Sequence, residues 1–274
     1  MKHYKIVASD LDGTLLNNQG KVSEENKKAI DELLAEGVHF VPCSGRTFSE
    51  IVDEIKENDA IRYYIHSNGA VVLDKQTGEQ ILTCIPNELG RKILDVVNSF
   101  ETHVTYRQNG ESYVDGKFQK EGDYDYYNVH MNHQRVVLDY ANYLENFKEA
   151  SYAADNVEVF SVYFHNYEDK IMCKNNFVQW PELRVVEADA YNLEIMNVHA
   201  GKGNALYCLA DMLGISREET ISIGDSDNDA SVTSAASLGL VVSNGCESLK
   251  AIADEIICSN EEHAIAYVQS HYFK

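Results

Sequence analysis

Near the start of the chain, short continuous apolar stretches alternate with segments whose apolar residues have helical spacing. This alternation predicts a parallel sheet with connecting helices. Short apolar, β-prone stretches at 6–9, 38–43 and 63–66 have the character of buried strands. Apolar residues between the strands recur at helical spacing, in one set of Ile30, Leu33 and Leu34 and another of Phe48, Ile51, Val52 and Ile55. The order strand, helix, strand, helix, strand implies right-handed crossovers between parallel strands.

The pattern changes near residue 70 and predicts an antiparallel sheet. Alternating stretches at 70–73 and 80–83 indicate a hairpin, and two more strands at 102–107 and 111–114 flank Gln108-Asn109-Gly110. A further strand is expected over 157–164. Helix faces are predicted from two apolar sets, Leu89, Ile93, Val96, Val97 and Phe100, then Tyr140, Tyr143, Leu144 and Phe147. We expect a sheet with helices on one face, forming a second domain inserted in the first.

The α/β pattern is expected to return at 191–196 and to continue to the end of the chain. A helix carrying Leu206, Leu209, Ala210 and Leu213 precedes a buried strand at 220–223. Short strands at 238–242 and 255–257, with a helix near Ser248 between them, complete the pattern. The predicted fold class is α/β, with a core of residues 1–84 and 191–274 and an α+β insertion of residues 85–190.

Composition and charge narrow the class of protein. The 274 residues are 44% hydrophobic and 24% charged, as in ordinary globular chains. A formal charge of −21 argues against a nucleic-acid partner, although it allows a small anionic substrate held by a metal ion and a few cations. No apolar run has the length of a membrane span, and the residues before the first strand are too few for a signal peptide. The six scattered cysteines form no CxxC pair, so we expect a reducing, cytoplasmic environment without membrane attachment.

Acidic residues follow two of the predicted strands directly. Asp10 and Asp12 come after the first strand, and Asp225, Asp227 and Asp229 come after the strand at 220–223. Parallel sheets place ligands beyond the carboxyl ends of their strands, where uncompensated like charges are costly. A divalent cation with oxygen ligands would relieve that cost, whereas the alternative is a set of loops with solvated acids.

Other polar groups leave two interpretations open. Ser44-Gly45-Arg46-Thr47 follows a strand and predicts either an anion cradle or a simple helix cap. Lys202 lies between two glycines at a helix start. This position predicts either a functional cation or a residue of a surface turn. His130 and His133 have the spacing of helical metal ligands, but no further ligand is near, so ordinary surface histidines are expected. The surrounding tyrosine-rich stretch, 123–133, has no predicted role.

Four separated segments together resemble the ordered motifs of the haloacid dehalogenase superfamily. They are Asp10-Leu11-Asp12-Gly13-Thr14, Ser44-Gly45-Arg46, Lys202, and Gly224-Asp225-Ser226-Asp227-Asn228-Asp229. The insertion, with Asn68-Gly69-Ala70 and Leu193-Glu194-Ile195 beside it, is similar to the C2 cap of Cof-type (subfamily IIB) phosphatases. The resemblance implies a Rossmann-like, doubly wound parallel-sheet core with a C2-type cap. Two segments depart from the family pattern, Ser231-Val232-Thr233 and Val242-Ser243-Asn244-Gly245-Cys246.

The resemblance also implies a role for each motif residue. Asp10 would attack phosphorus, and Asp12 would protonate the leaving group and then activate water. The acids around Asp12 would favour the protonated form that its first role requires. Mg²⁺ would be held by Asp10, the backbone carbonyl of Asp12, and Asp225. Phosphate oxygens would be bound by Leu11, Ser44, the N–H of Gly45, Asn228 and Lys202, and Asp229 would orient Lys202 or a water on the metal.

We therefore expect a cytoplasmic, Mg²⁺-dependent phosphatase of small phosphorylated metabolites, with sugar phosphates first. The cap would exclude water and select the organic part of the substrate. A phosphomutase or phosphotransferase of the same superfamily is an alternative, and isomer formation would distinguish it from phosphate release. A receiver-like signalling protein is a non-enzymatic alternative, but its single compact domain does not match the inserted segment.

Overall fold

The computed structural model describes residues 3–120, 122–187 and 189–273. It divides into two compact units. The first unit consists of Met1–Arg46, Ile51–Ile81 and Gly201–Lys274, and the second of Thr47–Glu50 and Leu82–Ala200. The observed divisions after Ile81 and Ala200 differ from the expected boundaries at 84/85 and 190/191.

The strands are numbered in chain order. They are β1 (Ile6–Ser9), β2 (His39–Pro42), β3 (Tyr63–His66), β4 (Val71–Asp74), β5 (Gln80–Leu82), β6 (Thr102–Gln108), β7 (Glu111–Asp115), β8 (Asn142–Leu144), β9 (Val159–Phe164), β10 (Leu183–Val186), β11 (Asn192–Asn197), β12 (Thr220–Gly224), β13 (Leu238–Val242) and β14 (Glu255–Ile257).

The α-helices are α1 (Glu24–Ala35), α2 (Asp53–Lys56), α3 (Asn87–Val97), α4 (Met131–Tyr140), α5 (Phe147–Ala153), α6 (Tyr167–Asn176), α7 (Lys202–Leu213), α8 (Ala230–Ala235), α9 (Glu247–Lys250) and α10 (Ala264–Tyr272). Within the described ranges, none of these helices is long and apolar enough to cross a membrane.

The first unit is built on a parallel sheet in the order β14-β13-β12-β1-β2. The predicted α/β core is confirmed. One detail of the prediction is wrong, because β3 joins this sheet only through a parallel bridge between Cys43 and Ile65. β3 instead pairs antiparallel with β4 and forms a separate three-stranded sheet with β4 and β5.

The predicted helix over 48–55 is also wrong, since only the four residues of α2 are helical there. The preceding residues Thr47–Glu50 belong to the second unit. The amide of Ser49 donates to the Gly110 carbonyl at 2.9 Å, and the Glu50 carboxylate bonds the Ser112 hydroxyl. These long-range bonds hold Ser49 and Glu50 to the segment between β6 and β7, and such tertiary contacts override the local helical spacing.

The second unit contains a six-stranded sheet in the order β10-β11-β9-β6-β7-β8. Its pairs are antiparallel except for the parallel pair of β7 and β8. β11 corresponds to the apolar run at 191–196 that was expected to begin the return of the parallel sheet, so that expectation is wrong. The helix expected over 140–147 is wrong as well, because α4 ends at Tyr140, β8 follows, and α5 begins at Phe147.

Both faces of this sheet are covered, although helices were expected on one face only. Ile93, Val104, Phe160 and Phe164 belong to a core with α3 and α6. A second apolar cluster, built largely from the unassigned tyrosine-rich stretch, packs near the opposite face and contains Val114, Phe118, Tyr124, Val129, Val137 and Tyr163.

The two histidines of that stretch have different surroundings. His130 is exposed, as expected, whereas His133 is half-buried with its ring 5.2 Å from that of Tyr163. Burial, with Arg107 nearby, lowers the pKa of His133 to about 4. The expectation of a surface histidine is therefore wrong for His133.

Candidate active site

The candidate site lies in the first unit, at the carboxyl ends of three adjacent parallel strands. Ser9, the last residue of β1, lies beside Pro42 of β2 and Ile223 of β12. The backbone amide of Asp10 continues the ladder by donating to the Ile223 carbonyl at 2.9 Å. The residues that follow these strands therefore emerge at one edge of the sheet.

The chain makes a tight turn after Asp10, and Gly13 makes that turn possible. Leu11–Leu15 form a single distorted helical turn, in which Gly13 has a φ of +75°. A Cβ at Gly13 would lie 2.5 Å from Oδ2 of Asp225. Glycine therefore satisfies both the left-handed backbone and the close approach of the Asp225 loop. Leu11, one of the predicted phosphate-binding residues, has a fully buried side chain, so it could contribute only through its backbone.

Lys202 is a buried cation at the start of α7, which excludes the surface-turn alternative. Its Nζ donates to Oδ1 of Asp10 at 2.7 Å and to Oδ1 of Asp229 at 2.6 Å, and its side chain is 1% exposed. Burial disfavours the charged form, but the two carboxylates outweigh it and raise the Lys202 pKa. Lys202 therefore stays protonated and joins two motifs that are far apart in the sequence.

Asp225 and Asp229 lie in the loop and short turn after β12 and differ in their hydrogen bonding. Asp229 is fully buried, and while its Oδ1 binds Lys202, its Oδ2 accepts from the amides of Asp225 at 3.0 Å and Ser226 at 3.3 Å. Oδ1 of Asp225 is shielded from solvent and has no hydrogen-bond partner among the described residues. Asp229 thus organises the loop, whereas Asp225 retains an unsatisfied oxygen.

Three carboxylates crowd this edge of the sheet. One oxygen each from Asp10, Asp225 and Asp229 lies within 4.8 Å of the others. Burial, and then repulsion by Asp229, raises the pKa of Asp225 to about 6. Burial also raises the pKa of Asp10 well above its ordinary value, against the opposing effect of Lys202. Three carboxyl groups face a single lysine here, so ionising all three is costly unless a further cation is bound.

This donor set fits a divalent cation. Carboxylate oxygens are the ligands that Mg²⁺ prefers, and a buried oxygen without a partner is costly unless something binds it. Asp10 and Asp225 are the ligands that the geometry favours, because both oxygens of Asp229 are already bound by donors of the protein. In the described part of the chain, no other group of three potential metal ligands comes this close together. His130 and His133 accordingly belong to no such group.

Asp12 points to a different partner. Its carboxylate accepts two hydrogen bonds from the Arg46 guanidinium, Nε to Oδ2 at 2.8 Å and Nη2 to Oδ1 at 2.7 Å. The Asp12 side chain is 58% exposed and that of Arg46 is 17% exposed. The sequence-based expectation considered only the acids around Asp12 and did not foresee this bidentate contact with the arginine of the second motif.

The second motif does not cap an α-helix. In the part of the chain that the structure describes, no α-helix begins between Ser44 and Asp53, and Oγ of the buried Ser44 instead accepts from the amide of Arg46 at 3.1 Å. A Cβ at Gly45 would lie 2.9 Å from Oδ1 of Asn68 and 3.6 Å from Nδ2 of Asn228. Gly45 and Asn228, two of the predicted phosphate-binding residues, therefore lie close together with Asn68.

A supporting segment escaped the assignment of roles from sequence. Nδ2 of Asn244 donates to the Gly13 carbonyl at 2.8 Å, and the amide of Cys246 donates to the Asp225 carbonyl at 2.7 Å. This segment departs from the family pattern, yet it holds both acidic loops through their backbones. Its position directly after the buried strand β13 is the signal that could have identified it.

Comparisons with known proteins agree with this geometry. A family model described as haloacid dehalogenase-like hydrolase matches residues 7–268. Phosphatase YwpJ of Bacillus subtilis is 28% identical over 291 residues, covering 97% of this chain and 99% of that protein. The 5-amino-6-(5-phospho-D-ribitylamino)uracil phosphatase YwtE of the same bacterium is 26% identical, with 96% of each chain covered.

A solved structure extends the likeness to the whole fold. That of the HAD subclass IIB sugar phosphatase BT4131 is similar with a TM-score of 0.80 at 20% identity, covering 98% of this chain and 99% of that one. The chain belongs to the haloacid dehalogenase-like hydrolase family. It is a phosphatase of that family, and the predicted family and enzyme class are confirmed.

Proposed function

We propose that this phosphatase is Mg²⁺-dependent and hydrolyses small phosphorylated metabolites, with sugar phosphates first, through an aspartyl-phosphate on Asp10. The observation that carries the proposal is the convergence of Asp10, Asp225 and Asp229 on Lys202 at the end of the parallel sheet. The named substrate of YwtE, a ribityl phosphate, and the sugar-phosphatase name of BT4131 support this substrate class.

Mg²⁺ would be held by Asp10, Asp225 and the backbone carbonyl of Asp12, and when bound it would offset the repulsion between a phosphate dianion and the carboxylates. Lys202 neutralises further charge on the transferring group and holds the Asp10 side chain in place. Ser44, the Gly45 amide, Asn228 and the Leu11 backbone bind the phosphate oxygens. Asp229 keeps Lys202 oriented through their 2.6 Å ion pair.

The reaction has two steps, and both need Asp12. First an oxygen of Asp10 attacks phosphorus, the ester bond to the leaving oxygen breaks, and Asp12 donates a proton to that oxygen. Then water attacks phosphorus, its proton passes to Asp12, and the Asp10–phosphorus bond breaks to release phosphate. To act as the acid, Asp12 must release one of its two hydrogen bonds from Arg46, because each of its oxygens accepts one, while the other bond still holds the carboxyl group in place. The second unit selects the organic part of the substrate.

A panel of phosphorylated metabolites tests the proposal. Phosphate release should require Mg²⁺, stop in EDTA, and be poorly supported by Ca²⁺, which prefers longer bonds and more ligands. Sugar phosphates should give the highest kcat/KM. Full activity in EDTA would contradict the metal requirement, and formation of a phosphate isomer without free phosphate would instead identify a phosphomutase.

A further inference from the structure

One short segment of the chain belongs to the second unit although both of its neighbours belong to the first. Arg46 and Ile51 are residues of the first unit, whereas Thr47–Glu50 are part of the second. The first unit's Arg46, which binds Asp12, is thus one peptide bond away from a residue of the second unit. What anchors Thr47–Glu50 therefore bears on Asp12.

The anchor is a carboxylate clamp on the hairpin of β6 and β7. Oε1 of Glu50 accepts from the Ser112 hydroxyl at 2.6 Å, and its Oε2 accepts from the amide of Thr47 at 2.9 Å. The amide of Ser49 donates to the carbonyl of Gly110, whose own amide donates to Glu158 at 2.7 Å. The clamp closes the segment on itself and fixes it to the turn of the hairpin.

The clamp is ionised and buried. Glu50 is 1% exposed, and Ser112 lies opposite Arg107 in the hairpin register. Burial opposes ionisation of Glu50, but Arg107, Ser112 and the Thr47 amide outweigh it and lower the Glu50 pKa. Arg107 is itself buried and also lies 3.8 Å from Glu194. Removing one charge from such a cluster leaves the other uncompensated, so the segment is held firmly.

The first unit holds the other end of the segment. The Arg46 carbonyl accepts from the amide of Ser67 at 2.8 Å, and the Arg46 amide donates to Ser44. The Arg46 side chain makes its two bonds to Asp12. The backbone of Arg46 therefore has fixed partners, and its next residue, Thr47, is bonded directly to Glu50.

We propose that Glu50 is a positioning residue for proton transfer, which acts through Thr47 and Arg46 to set the place of the Asp12 carboxylate. This inference rests on the proposed role of Asp12 as the acid and base. The proposed role of Glu50 is to hold other groups in place, not to react. The peptide bond between Thr47 and Arg46 connects the residues that Glu50 holds to the guanidinium that binds Asp12.

Glu50→Gln tests the proposal, because it keeps the shape of the side chain and removes its charge. The sugar phosphate with the highest kcat/KM needs a proton on its leaving oxygen, whereas p-nitrophenolate departs without one. We expect kcat for the sugar phosphate to fall by about tenfold or more, with aspartyl-phosphate formation from p-nitrophenyl phosphate changed by less than about twofold.

Two further variants separate positioning from folding. Ser112→Ala removes a single hydrogen bond to Glu50 and should show the same ester-dependent loss, at smaller size, if Glu50→Gln does not fold. Glu187→Gln is the matched control, because it removes a carboxylate charge that binds Lys170 elsewhere in the second unit. It should change neither ester by more than about twofold.

A double-mutant cycle with Asp12→Asn gives the decisive readout. If Glu50 acts through Asp12, Glu50→Gln should have no further effect on kcat once Asp12 is replaced. Equal losses on both esters, or an undiminished further loss in the double variant, would overturn the positioning role. The proposed function is tested separately, by asking whether Asp10→Asn abolishes the turnover of the wild-type protein. A failure of the proposed function and a failure of the Glu50 proposal can therefore be told apart.

Discussion

The polar residues of the candidate site and those of the second unit's sheet lie in different places. In the first unit, Asp10 and Asp225 directly follow β1 and β12, and Ser44 follows β2 after one residue, so these groups lie at the carboxyl edge of the parallel sheet. In the second unit, polar residues lie along strands of the antiparallel sheet. His103 and Asn192 both pair with Tyr163, and Thr105 and Glu194 both pair with Ser161.

The two positions differ in whether several polar groups can converge on a single ligand. Residues beyond a strand end have left the ladder, so their side chains and backbone amides can converge on one ligand. Residues along a sheet face keep their backbone bonds and contribute single side chains, which then need partners from the covering layer. Buried nitrogens and oxygens of His103, Ser161 and Asn192 lack such partners among the described residues. Burial of polar groups alone therefore does not identify an active site.

The largest expected effect is that of Asp10→Asn. An amide is a poor nucleophile and a poor Mg²⁺ ligand, so kcat should fall by about 10⁴-fold or more while the protein stays folded. The control is Asp227→Asn in the other acidic loop, because Asp227 is exposed and bonded to Ser248. That variant should keep kcat within about threefold. A tenth of wild-type kcat in Asp10→Asn would argue against covalent catalysis.

Two buried lysines sharpen the comparison between the units. Lys202 pairs with Asp10 and Asp229, whereas Lys170 pairs with Glu187 of the second unit and lies over the Tyr167 ring. Lys202→Met should lower kcat by about 10³-fold, the scale for losing one donor to a developing charge. Lys170→Met should lower the melting temperature but leave kcat within about twofold. Equal kcat losses in the two variants would mean that Lys202 acts only through stability.

The smallest effect concerns His103, which lies among aromatic rings and whose two ring nitrogens have no hydrogen-bond partner in the described ranges. Burial, with smaller contributions from His133 and Lys117, lowers its pKa to about 3. Below the ordinary value of about 6.5, only the unfolded chain takes up this proton. The contribution of neutral His103 to the free energy of unfolding is therefore fully present above about pH 6.5 and is lost as the pH falls toward 3. The loss between pH 7 and 5 is roughly 2 kcal/mol.

His103→Phe should remove that part of the pH dependence. Urea unfolding followed by the fluorescence of Trp180, the chain's one tryptophan, reports on the second unit. The fall in unfolding free energy from pH 7 to 5 should shrink by about 2 kcal/mol, whereas replacing the exposed His130 by Phe should leave it unchanged. An unchanged fall in His103→Phe would contradict the assignment.

Much of the parallel core could be predicted because its information is local. The turn at Gly13 closely follows the run from Ile6 to Ser9, and the acids at 225–229 directly follow β12. Each motif can therefore be assigned to the end of its strand from the local sequence alone. The second unit was predicted less well. The apolar run at 191–196 has the same character in either sheet, and only its pairing with β9 decides the matter. The apolar residues from Phe48 to Ile55 have helical spacing, but Ser49 and Glu50 within that stretch form long-range bonds instead.

The sequence allowed the residues of the candidate site to be proposed, but not the pairings among them. The ion pairs of Lys202 join residues 192 and 27 positions apart, and no spacing rule reports such contacts. The bond between Arg46 and Asp12 was missed for the same reason. Asn244 was missed because its role is to hold a backbone carbonyl, a task that leaves no distinctive residue pattern.

The most direct test of the central claim is to trap the phosphoryl group in Asp12→Asn. With p-nitrophenyl phosphate, formation of the aspartyl-phosphate needs no acid, whereas its hydrolysis needs Asp12 as the base. Rapid acid quenching followed by peptide mapping in a mass spectrometer should find about one phosphoryl group per chain, on the peptide that contains Asp10, together with a burst of nitrophenolate. Continued turnover with no burst and no phosphoryl group on Asp10 would contradict the account.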